Sequence, residues 1–141
     1  MPDTSARGVE IAGSDESDTL GSGAGFYVNA KTYKWKKHYN MDDYINKELP
    51  IVLNQLFSVD TSRAAIMGRD MGGHGALSQH FRNPGKYSSV SAFAPMCNPT
   101  NSPLGQKCFK AYLGSVEAGA EYDSTLLVSN YSGPKAPIMI D

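Results

Sequence analysis

The segment Ala64-Ala65-Ile66-Met67-Gly68-Arg69-Asp70-Met71-Gly72-Gly73-His74-Gly75-Ala76-Leu77 carries the strongest chemical signal in the chain. It reads as a short apolar strand, a glycine-framed turn and the start of a helix. A strand that reverses this abruptly lifts its central side chain to the tip of the turn, where a nucleophile for acyl transfer would stand. The reversal forces positive φ on the central residue, and side chains on its neighbours would collide; Gly68 and Gly72 remove that collision. The central residue is Asp70 where a serine is expected. The seat of a nucleophile is present, and the usual nucleophile is not.

A nucleophile also needs a base. His74 lies four residues past Asp70, and helical side chains lean toward the N-terminus. A base must nevertheless approach from a separate loop above the turn, so His74 reads as a hydrogen-bonded packing residue beside Gly73. His38 and His80 have no visible partners. No pair of histidines, cysteines or carboxylates has metal-ligand spacing, so neither a metal nor a cofactor is expected.

The elements that hold this turn follow from periodicity. Arg63 to Met67 is the feeding strand, and Met71 to about Phe81 a helix ended by Asn83-Pro84-Gly85. Its glycines 72, 73 and 75 are poor helix formers, which argues for close packing on the sheet. Tyr87 to Ala94 is a second strand stopped by Pro95. Residues 96–106 are loop, Lys107 to Leu113 a helix, Tyr122 to Val128 a further helical stretch, and 137–141 a strand of buried type. Upstream, Tyr44, Ile45, Leu49, Val52, Leu53 and Leu56 recur at helical steps from Met41 to about Leu56. Asp42 and Asp43 suit its first turn, and Pro50 should bend it. Alternating strands and helices predict an α/β fold with a parallel sheet of about three strands and crossover helices. Residues 1–40 are loop-rich and 41–141 form the core of one domain.

The composition bounds the partners. With 141 residues and a formal net charge of -1, the chain has no general attraction for nucleic acid, and no apolar run is long enough to span a membrane. Cys97 and Cys108 are too few for a disulfide framework and point to free thiols in the cytoplasm. Gly21-Ser22-Gly23-Ala24-Gly25 lacks the context of a phosphate loop and reads as a flexible surface loop. Lys34-Trp35-Lys36-Lys37-His38-Tyr39 reads as a solvated turn.

Nearly the whole chain resembles the S-formylglutathione hydrolase (esterase D) family of α/β-hydrolases. The resemblance rests on Asp15-Glu16-Ser17, Gly23-Ala24-Gly25-Phe26-Tyr27-Val28, Met71-Gly72-Gly73-His74-Gly75-Ala76-Leu77, Asn83-Pro84-Gly85-Lys86-Tyr87, Ser91-Ala92-Phe93-Ala94-Pro95 and Tyr112-Leu113-Gly114. It implies a cytoplasmic, cofactor-free serine thioesterase and carboxylesterase. Such enzymes convert S-formylglutathione to glutathione and formate in formaldehyde detoxification, and they are often dimers. The family's Gly-His-Ser-Met-Gly-Gly stands here as Gly68-Arg69-Asp70-Met71-Gly72-Gly73. Asp70 thereby takes the nucleophile position, and the Met71 backbone N–H half of the oxyanion hole. The family's acid and histidine fall beyond Asp141, which matches an aspartate at a strand end and not the acid. Asp18 replaces a family tryptophan. The expectation is an incomplete, inactive α/β-hydrolase domain prone to pair or aggregate through exposed edges. A non-catalytic interaction or glutathione-binding remnant, and an aspartate-nucleophile hydrolase using Asp70, are the alternatives.

Overall fold

The computed structural model describes residues 2–141. Three strands, β1 (Ala64–Arg69), β2 (Tyr87–Phe93) and β3 (Ile138–Ile140), form one parallel sheet in the order β1-β2-β3. Ile66 pairs with Val90 and Arg69 with Phe93, after a register slip between Ala64 and Ile66. Val90, Ser91 and Ala92 pair in turn with Ile138, Met139 and Ile140.

The helical stretch from Met41 is built in three pieces: α1 (Met41–Asp43), a π turn (Tyr44–Glu48) and α2 (Leu49–Leu56). Pro50 explains the change of pattern. It has no N–H for the Asn46 carbonyl four residues back, and the Lys86 ammonium donates to that carbonyl instead. The Leu49 N–H reaches back to Tyr44, which closes the wider π turn.

Helix α3 (Met71–Arg82) packs on β1 and β2, and every residue from Gly73 to His80 is buried. Helix α4 (Pro103–Leu113) begins earlier than its periodicity predicts. Ser102 caps it by accepting the Gly105 N–H at 3.0 Å, and Pro103 fills the first turn, where a missing N–H costs nothing. Asp123 likewise caps α5 (Ser124–Ser129), accepting the amides of Thr125 and Leu126.

Residues 2–40 hold no helix or strand, yet two expectations there are overturned. The 21–25 segment is not a flexible surface loop: the buried Tyr112 hydroxyl accepts the Gly21 N–H at 2.8 Å and donates to the Ala24 carbonyl at 2.6 Å. The 34–39 segment is not a solvated turn either. Trp35 and Tyr39 are buried and pack on Tyr112, with ring centroids 5.3 and 5.6 Å away. Aromatic side chains on irregular backbone thus build one core with α4, while Ala76, Leu77, Val90 and Ala92 build a second between α3 and the sheet.

Burial also departs from expectation at two apolar elements. No residue of α2 is buried, and all three residues of β3 are exposed. Both lie at the periphery, with β3 an edge strand and not a buried one.

Candidate active site

Strand β1 delivers Asp70 to a turn with φ 54° and ψ −118°, and α3 departs from the next residue. Two backbone bonds fix the turn. The Asp70 N–H donates to the Phe93 carbonyl at 2.9 Å, anchoring it to the end of β2, and the Asp70 carbonyl accepts the His74 N–H at 3.0 Å, opening the helix. Gly68 carries the close approach, since a Cβ there would lie 2.1 Å from the Gly72 carbonyl oxygen. A Cβ on Gly72 would meet only the Tyr27 hydroxyl at 3.9 Å. Gly73 and Gly75 let α3 lie against Pro95 and the Tyr27 ring, where added Cβ atoms would sit 2.9 and 2.5 Å from their neighbours.

The Asp70 side chain is exposed and does not fold back to cap α3. The amides of Met71, Gly72 and Gly73 precede the first intrahelical bond, so they stand at the positive end of the helix beside that carboxylate. This is the arrangement that can hold an oxyanion. The elbow opens into a groove of about 960 Å³ whose apolar walls include Tyr27, Ile45, Leu49, Leu53, Ile66 and Phe93. Asp60, Asp70, Gln79 and Lys86 are among its polar groups.

Sequence reasoning did not single out Phe26 and Tyr27 for the site. They take consecutive left-handed conformations, φ 55° and 54°, a strained choice for aromatic residues. Gln79 Nε2 holds the Tyr27 carbonyl at 3.0 Å, and the Tyr27 ring fills the space that Gly75 leaves. The glycine at position 75 was the available signal.

None of the three histidines lines the groove. His74 is fully buried and stacks on Phe26, and burial pushes its imidazole down to about 4. It is a packing residue, but not a hydrogen-bonded one, as neither ring nitrogen meets a partner among the described residues. His80 is buried against Phe81 and Tyr131, and its imidazole is also lowered by burial. His38 lines a separate pocket of about 420 Å³ with Arg7 and Lys37. Burial raises both thiols, Cys108 to about 11, which keeps them protonated and unreactive near neutral pH. Among the described residues no group of three or more histidines, cysteines or carboxylates could hold a metal ion, and no helix is long and apolar enough to cross a membrane.

Comparison with known proteins places these features in context. The Esterase family, described as "Putative esterase", matches residues 1–141. S-formylglutathione hydrolases of Rattus norvegicus and Arabidopsis thaliana are each 52% identical to the chain, over 99% of it and 50% of their own length. The chain therefore spans about half the length of these relatives. A solved S-formylglutathione hydrolase from Agrobacterium tumefaciens superposes with a TM-score of 0.91 at 36% identity, covering 99% of this chain and 50% of that one. The Mycobacterium tuberculosis protein MPT51 shares the fold at 16% identity and a TM-score of 0.63.

Proposed function

The chain belongs to the esterase family with an α/β-hydrolase fold, and from that premise we propose that it is the elbow-bearing part of an S-formylglutathione hydrolase that does not itself turn over substrate. The relatives' names supply the substrate class, S-formylglutathione and, by extension, small esters. A cytoplasmic location agrees with two free cysteines. One observation carries the inactivity: Asp70 occupies the nucleophile position and no histidine lines its groove.

Acyl transfer at such an elbow needs three things together. A nucleophile must attack the thioester carbonyl, a base must take its proton or activate water, and N–H donors must hold the oxyanion. Here the Met71 amide and the helix end supply part of the third requirement. A carboxylate could attack without surrendering a proton, but the acyl anhydride it would form with a thioester still needs an activated water to release it. Buried, neutral His74 does not reach that place.

Retained ligand binding without turnover is the second reading, favoured by the open apolar groove beside the helix end. Incubation with S-formylglutathione and with p-nitrophenyl acetate should release product no faster than buffer. Calorimetric titration with S-methylglutathione, which carries no acyl group to transfer, separates binding from inertness. Turnover that vanishes in Asp70→Ala would overturn the proposal in favour of an aspartate nucleophile.

A further inference from the structure

We propose that the turn over residues 31–38 is a docking surface for an acidic peptide, independent of the elbow and of any hydrolysis there.

The placement of charge carries the proposal. Residues 31–38 hold four lysines and a histidine but no acid, in a chain of formal net charge -1. The rest of the chain is therefore acidic on balance, and the turn stands in it as a basic island. The fold pins this island at its base. Ala30 donates its N–H to the Tyr39 carbonyl at 2.8 Å, and Met41 donates to that of Val28 at 3.0 Å. The amides of Lys31 and Thr32 both donate to the Tyr112 carbonyl, at 2.8 and 3.1 Å. With Trp35 and Tyr39 buried in the core, Tyr33, Lys34, Lys36 and Lys37 are left exposed, Tyr33 at 92%. Glu121 engages Lys31 at 2.7 Å. Among the described residues Lys34, Lys36 and Lys37 meet no carboxylate, and Lys34 and Lys36 lie over the rings of Trp35 and Tyr33 instead. Unpaired cations on a pinned backbone receive an anionic partner with little ordering cost.

The pocket of about 420 Å³ beside the turn is a second observation. Lys37 and His38 line it together with Arg7. Its two acids are Asp3, which Arg7 holds at 2.9 Å, and Glu48. Three basic side chains converging on a space of this size suit a carboxylate side chain at one end of a bound peptide.

The exposed groups select the occupant. Single-stranded nucleic acid stacks successive bases on successive aromatic rings, whereas of Tyr33, Trp35 and Tyr39 only Tyr33 is exposed. An anionic bilayer would face the acidic remainder of the chain as well, with Glu121 at the edge of the turn. A short acidic peptide meets the lysines alone.

The test is fluorescence anisotropy with the full 141-residue chain and labelled hexaglutamate, beside hexaglutamine, oligothymidylate and vesicles of phosphatidylserine and phosphatidylcholine. Hexaglutamate should bind saturably and at least about tenfold tighter than hexaglutamine, with the affinity falling steeply as salt is added. Combining Lys34→Glu, Lys36→Glu and Lys37→Glu should weaken it at least about tenfold without changing circular dichroism. Lys135→Glu, at an exposed position outside the turn, should change it by less than about twofold. No saturable binding of hexaglutamate, binding indifferent to the three charge reversals, or tighter binding of oligothymidylate or of the vesicles would overturn the proposal.

Discussion

The His74 imidazole stacks on the Phe26 ring with centroids 4.6 Å apart and planes inclined by 25°. Four residues after the elbow, the one histidine that chain spacing offers to Asp70 is committed to the core instead. It faces aromatic rings, and burial lowers its imidazole against a smaller opposing pull from the Asp123 carboxylate.

That commitment makes stability depend on pH. The folded imidazole titrates at about 4 against an ordinary value of 6.5, so between these values the unfolded chain binds the extra proton. Its contribution is fully present above pH 6.5 and is lost as pH falls toward 4. The shift corresponds to about 3 kcal/mol. The His80 imidazole, also lowered by burial, adds a contribution of the same sign that remains in His74→Phe. The carboxyls of Asp3 and Asp43, held down by Arg7 and Lys47 beside them, act at lower pH. Urea unfolding at pH 7 and pH 4.5 should show this loss in the native chain and a smaller one, the part that His80 contributes, in His74→Phe. Equal losses in both would refute the assignment.

The two elbow glycines should differ sharply. Gly68→Ala drives a methyl into the Gly72 carbonyl, and nothing there is a flexible side chain; a loss of roughly 3 kcal/mol or more is expected. Gly72→Ala meets only ordinary contact and removes a poor helix former, so its midpoint should stay within about 1 kcal/mol of the native chain. Thermal melts of the two variants decide it, and equal destabilisation would contradict the geometry.

Tyr112→Phe tests whether the amino-terminal third is built or loose. The variant leaves the Gly21 N–H and the Ala24 carbonyl without their buried partner, at a cost of about 1–3 kcal/mol. Amide exchange should accelerate across residues 21–28 before the sheet is affected. Unchanged exchange there would mean that the segment is held by other contacts.

The elements around the elbow were legible because each is local. An apolar run feeding a glycine-framed turn dictates strand, reversal and helix, and Asn83-Pro84-Gly85 stops α3 one residue past its predicted end. The starts of α4 and α5 were written in Ser102-Pro103 and Asp123, cap signals that periodicity alone overlooks. Burial was not legible where it depends on distant partners. Trp35 and Tyr39 sit in a basic, turn-like stretch, and only Tyr112 on α4 makes them core. The same limit works in reverse for α2 and β3, whose apolar patterns predict burial but which lie exposed at the periphery. At the elbow, the placement of Asp70 at the turn and of the Met71 amide at the helix start follows from the motif, whereas Phe26 and Tyr27 take a strained backbone that no periodicity encodes.

On the proposed reading the elbow is intact, and Asp70 together with a groove that no histidine lines, not a collapsed turn, leaves it without turnover. Hydrolysis of S-formylglutathione by the Asp70→Ser variant of this chain distinguishes the two. The serine variant should fold as the native chain does and release product no faster than buffer. Hydrolysis by the serine variant, lost again on His74→Gln, would contradict that reading by showing that the buried histidine does reach the elbow.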